Sequence, residues 1–110
     1  MKFTLRNGQS FRHENYKGVS YNAAGQYPAA SCSLISIDGR HGKVKGPFEK
    51  IFFVIEGHGE FTVANMLFDV QQSDVVMVPA NVPHDFRGKM KILLTCVPAF
   101  DPGKEKKLDK

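Results

Sequence analysis

The sequence predicts an all-β domain, an antiparallel sandwich or barrel. Three observations carry that reading. Apolar runs, either continuous or alternating with period two, recur from residue 31 onward. No helical periodicity between them is long enough for a crossover helix, which a parallel sheet would need. The ten glycines and six prolines are spread through the middle of the chain rather than pooled in a linker, so turns are frequent.

The elements follow in order. Residues 1–30 are irregular and are expected to add one or two strands to a sheet edge. Ser31–Ile37, SCSLISI, reads as a strand stopped by Asp38-Gly39. Lys50–Ile55 reads as a second, stopped by Glu56-Gly57-His58-Gly59 with His58 at an exposed hairpin tip. Glu60–Val63 follows, then a turn at Ala64-Asn65, then Leu67–Val70. Val75–Val78 is halted by Pro79, with Asp74 expected to cap the turn before it. His84–Phe86 ends at Gly88, and Ile92–Val97 ends at Pro98. Residues 31–100 form the barrel in this reading, and 101–110 a flexible basic tail.

One strand has an unusual surface. Phe52 and Val54 point to one side, and Ile51, Phe53 and Ile55 to the other. Both sides are apolar, whereas a half-exposed antiparallel strand alternates with polar residues. The outer side is therefore expected to be covered, by the N-terminal segment or by a second copy. A homodimer is the expectation.

Charge excludes some function classes. Net charge is +4, but the tail GKEKKLDK sets Lys104, Lys106, Lys107 and Lys110 against Glu105 and Asp109 and so supplies half of it. The tail holds no aromatic residue, so it reads as a solvated terminus rather than a nucleic-acid-binding strip. Met1–Asn7 lacks an apolar signal core, and no apolar run approaches the roughly 18 residues of a membrane span. Cys32 and Cys96 lie far apart, with no CxxC pair, and read as free thiols in a cytoplasmic protein.

Two stretches together resemble the cupin superfamily. KIFFVIEGHGEFTV (Lys50–Val63) is similar to the end of the first cupin motif, and SDVVMVPANVPHDFRG (Ser73–Gly88) is similar to the second. The resemblance covers about residues 37–98. It implies a cupin-type jelly-roll barrel with a small-molecule pocket inside. In the family, two His and a Glu of the first motif and a His of the second hold a divalent metal. Counted back from Gly57, the first three places fall on Lys43, Lys45 and Lys50; the fourth is His84. An ammonium has donors and no lone pair. Like charges about 6 Å apart also repel by roughly 3 kcal/mol at an effective dielectric near 20. No metal and no other cofactor is expected. A bulge turning Glu49 inward beside His84 and His41 would be the one way to rebuild a metal site.

The resemblance, read with these substitutions, implies a basic pocket. Lys43 and Lys45 share strand parity and would converge with Lys50 and His84 on a small anionic ligand, an organic acid or sugar phosphate. Phe52 and Phe86 would form its apolar wall. A metal-independent isomerase or lyase is the alternative, with His84 as catalytic acid or base and the lysines steadying an enolate. Asp85 follows His84 and so points away from it, which rules out orientation of the imidazole by its neighbour.

Overall fold

The computed structural model describes residues 1–109. It is all-β: nine antiparallel strands form one curled sheet, with two single-turn 3-10 helices at Leu5–Asn7 and Pro102–Lys104. The strands are β1 (Gln9–Arg12), β2 (Tyr16–Ser20), β3 (Ser31–Arg40), β4 (Val44–Lys45), β5 (Glu49–Val63), β6 (Met66–Gln71), β7 (Val75–Val78), β8 (His84–Val97) and β9 (Lys106–Lys107).

Two long strands organise the barrel. β8 pairs with β3 along one edge and with β5 along the other. β5 in turn carries β7 beside its first half and β6 beside its second. The hairpin β1–β2 extends the sheet beyond β3.

Sequence reading placed breaks inside three of these strands that the structure runs straight through. Asp38-Gly39, Glu56–Gly59 and Gly88 are bends within strands, not turns between them. The reason is local geometry. Gly57 has φ +91, and a Cβ there would lie 2.1 Å from the Lys89 carbonyl oxygen. Glycine lets β5 bend hard against β8 without leaving the ladder. A one-residue irregularity at Val54/Glu56 sharpens the same bend. His58 is exposed, but it sits in mid-strand between Gln71 and Lys89. Two true turns follow expectation. Ala64 and Asn65 take φ +49 and +69 at the β5–β6 hairpin. The Asp74 carboxylate accepts the Gln71 N–H at 2.8 Å to cap the β6–β7 turn.

The core lies between the faces of the curl. Phe52, Val54, Phe61 and Ile92 are fully buried, with Ile37, Val76, Val78, Phe86 and Met90 around them. The opposite side of β5 remains open: Ile51 and Phe53 are exposed, beside Met77 and Val75 of β7. The N-terminal segment does not cover this side, because it pairs at the other edge.

Through Asp109 the tail differs from the expected free terminus; Lys110 lies outside the described residues. β9 pairs with β4, the Leu108 N–H donates to the Lys43 carbonyl, and the Asp109 carboxylate accepts the Lys43 N–H and meets Arg40. Backbone groups from Lys106 to Leu108 find partners on the barrel, which a composition reading could not reveal. Cys32 and Cys96 are free thiols. No helix among the described residues is long and apolar enough to cross a membrane.

Candidate functional site

Among the described residues, four polar or charged ones are buried: Asn22, Ser31, Lys50 and His84. Burying polar groups costs free energy unless partners satisfy them, so their clustering marks a site. Three of them line one cavity of about 640 Å³, and the fourth is hydrogen-bonded to Lys50. The cavity lies between the β1–β2 hairpin, the inner face of β3, and the segment after β8. Its wall is aromatic at Phe11, Tyr16, Tyr21 and Phe100, and polar at Ser20, Ser31, Ser33 and Gln26.

Lys50 is the centre of the site. Alternation along β5 turns it inward, with Phe52 and Val54, while Glu49 is exposed. Its Nζ lies 3.1 Å from His84 Nε2 and 2.5 Å from Glu105 Oε2, and 5.9 Å from the centre of the Phe100 ring. An ammonium can only donate, so His84 Nε2 accepts and Nδ1–H donates to the Val82 carbonyl at 2.9 Å. His84 is therefore a neutral imidazole. Burial, with the Lys50 charge second, lowers its pKa to about 4. Two of the three Nζ–H bonds are thus committed, and the third is left for the cavity.

His41 and His13 are the imidazoles that line the cavity, and His41 is the one held against the core. It follows β3, where its N–H donates to the Phe86 carbonyl. Its Nδ1 is 2.8 Å from the Gly42 carbonyl, so Nδ1 carries the proton and Nε2 keeps its lone pair. The ring is held between Tyr16 and Phe86, with centroids 4.6 and 4.5 Å away. Burial lowers its pKa. Tyr16, whose ring packs tilted against it, is pushed up by burial and by the Glu105 charge.

The expected site residues do not all meet. Lys50 and His84 come together, but Lys43 and Lys45 do not line the cavity. The register explains this. Val44 pairs with His84 and is buried, so it takes the inward side of β4 and leaves its two neighbours the opposite parity. Phe52 and Phe86 pack in the core rather than on the cavity wall; Phe86 reaches the site only through its stack with His41. His84 is likewise behind Lys50 and does not face the cavity. Asp85 points away from His84, accepting from Arg40 and from the Gly42 N–H.

Sequence reading missed Glu105 and gave His41 little weight. His41 had one signal, its parity with Lys43 and Lys45. Glu105 had none, being a lone carboxylate in a lysine-rich tail. The 3-10 turn Pro102–Lys104 aims it, with the Asp101 carboxylate accepting the Gly103 N–H at 3.0 Å.

The residues do not fit the metal of the cupin pattern. Lys50 occupies the lone pair of His84 that a metal would take. Glu49, needed for a rebuilt site, is exposed and pairs with Val97. No cluster of three or more His, Cys, Asp or Glu side chains able to hold a metal occurs among the described residues.

Comparison with known proteins agrees on the fold. A Streptomyces protein solved with uridine, Pac13, described as a nucleoside dehydratase, superposes with a TM-score of 0.89 at 21% identity, covering 98% of this chain and 90% of that one. Oxalate decarboxylase from Bacillus subtilis superposes with a TM-score of 0.86 at 13% identity, over 96% of this chain and 31% of that one. An uncharacterized protein of Methanocaldococcus jannaschii is 30% identical over 56 residues, which span 47% of this chain and 45% of that relative. The family model for the cupin domain matches residues 42–97, just over half of the chain. With both motifs, the barrel and this match in agreement, the chain belongs to the cupin domain family.

Proposed function

We propose that the protein is a metal-independent cupin that binds a small polar metabolite in the aromatic cavity in front of Lys50. The observation that carries this is the third N–H of Lys50. The ammonium is buried, oriented by His84 and Glu105, and has one donor left for a ligand carbonyl or hydroxyl. Stacking walls at Tyr16 and Phe100 suit a planar ring, and the serines and Gln26 suit hydroxyl groups. A nucleoside has both parts, and a neighbour in fold was solved with one. Uridine is therefore the first probe. The anionic ligand expected from three lysines loses much of its basis, since only Lys50 faces the cavity.

Uridine titrated into chelator-treated protein, followed by thermal unfolding, tests the reading. Ligand at 100 times its dissociation constant adds about 2.7 kcal/mol of stability. The shift is expected in the wild type and lost in Lys50→Met. No shift with uridine in the wild type overturns the nucleoside reading.

A second reading, an elimination or isomerisation enzyme, is favoured by His41 Nε2. A ligand proton next to a carbonyl could pass to this nitrogen while the Lys50 N–H steadies the enolate oxygen. His84 then acts as a positioning residue for Lys50, not as the acid or base. Turnover lost in His41→Asn with binding retained supports this; equal turnover in that variant overturns it.

The reading includes a homodimer through the open side of β5 and β7, and a reducing cytoplasmic setting in keeping with the free thiols.

A further inference from the structure

We infer that Glu105 sets the charge selectivity of the cavity: it makes the site take uncharged ligands and turn away their anionic counterparts. The inference rests on the small-molecule reading above and deepens it. Among the described residues, Lys50 is the only Lys or Arg lining the cavity, and Glu105 the only Asp or Glu. They are bonded to each other, with side chains 4% and 15% exposed. The lining therefore carries no net charge while His13 and His41 are neutral. A ligand carboxylate that reached the remaining Nζ–H would also meet the Glu105 carboxylate, and would shed its hydration to do so. A carbonyl or hydroxyl oxygen takes the same bond without either cost.

The backbone that carries Glu105 is held on both sides, and its carboxylate is held by Lys50 itself. Before it, the Phe100 N–H donates to Ser31 Oγ at 2.8 Å, and the Asp101 side chain caps the turn. After it, β9 pairs with β4 and Asp109 bonds the Lys43 N–H and Arg40. The segment is a strap across the barrel that delivers one carboxylate to one ammonium. In this family pattern a metal would supply positive charge at the site. Here the charge is present and cancelled, so the site keeps a strong oriented donor without a positive field.

Two probes that differ only in charge test this: uridine 5′-carboxamide and uridine 5′-carboxylate, each titrated against wild type, Glu105→Gln and Glu105→Asp. Wild type is expected to prefer the carboxamide by tenfold or more. Glu105→Gln is expected to narrow or reverse the ratio by at least tenfold, and Glu105→Asp to restore it. Circular dichroism and the melting curve of each variant show whether it folds. If Glu105→Gln does not fold, the wild-type and Glu105→Asp ratios carry the decision alone. Wild type binding the carboxylate as tightly as the carboxamide overturns the inference while leaving the small-molecule reading standing. Wild type binding neither probe nor uridine overturns the nucleoside reading and this inference with it.

Discussion

Lys50 sits at a position only 4% exposed, and its contacts with Glu105 and His84 make that tolerable. Removing one side of such a pair leaves the other charge unsatisfied, at a cost of about 3–5 kcal/mol. Lys50→Met is expected to destabilise the protein by roughly that amount, read from denaturant unfolding. The double variant Lys50→Met/Glu105→Gln is expected to be clearly less destabilised than the sum of its single changes. Additive costs would mean that the two side chains do not act as a pair. His84 gives a pH signature. Its folded-state pKa of about 4 lies below the ordinary 6.5, so the unfolded chain takes up the proton more readily. Stability from neutral His84 is intact above pH 6.5 and is lost as pH falls toward 4, a change on the order of 3 kcal/mol. His84→Gln is expected to flatten unfolding free energy against pH in that window. An unchanged slope would show that folding does not shift the His84 pKa. Of these residues, Lys50 and His84 were legible because two linear motifs fix their register. Glu105 was not, because nothing within its own segment distinguishes a carboxylate that salt-bridges a buried lysine from one that only balances neighbouring charges in water.

Strands were legible wherever a short apolar run was bounded by turn residues, and boundaries were lost wherever glycine allowed a strand to bend and continue. β7 shows the first case, Val75–Val78 in sequence and structure alike. β5 and β8 show the second, each read as two strands. Gly57 is where the difference can be measured. Its φ of +91 and the 2.1 Å approach of the Lys89 carbonyl to a Cβ leave no room for alanine. Gly57→Ala is expected to cost more than about 2 kcal/mol through backbone strain and a forced separation of β5 from β8. A cost within about 0.5 kcal/mol, as at an ordinary surface position, would favour a loose hairpin over a bent strand. Parity also explains the failure at β4. Lys43 and Lys45 do share a side, as alternation requires, but Val44 takes the inner one. Sequence fixes which residues face together, not which way they face.

The whole molecule leaves an apolar surface without a cover. Ile51, Phe53, Val75, Met77 and Val97 are all exposed on neighbouring strands. For a chain of 12.3 kDa, sedimentation is expected to give twice that mass, and Phe53→Glu to return the monomer. A wild-type monomer at micromolar concentration would remove the dimer from the proposal. The fold itself was legible, since the recurring strand-like runs and two motifs sufficed for it. The cavity was not, because it is assembled from the N-terminal hairpin, β3 and the C-terminal strap, segments that carry no shared pattern. The central claim is that this cavity uses an oriented lysine where its family pattern has a metal. Calorimetric titration of uridine into protein stripped of metal by chelation tests it most directly, with Lys43→Ala and Lys50→Met beside the wild type. Binding is expected in the stripped wild type, unchanged in Lys43→Ala and lost in Lys50→Met. Binding that appears only when a divalent metal is restored, or that survives Lys50→Met, would contradict it.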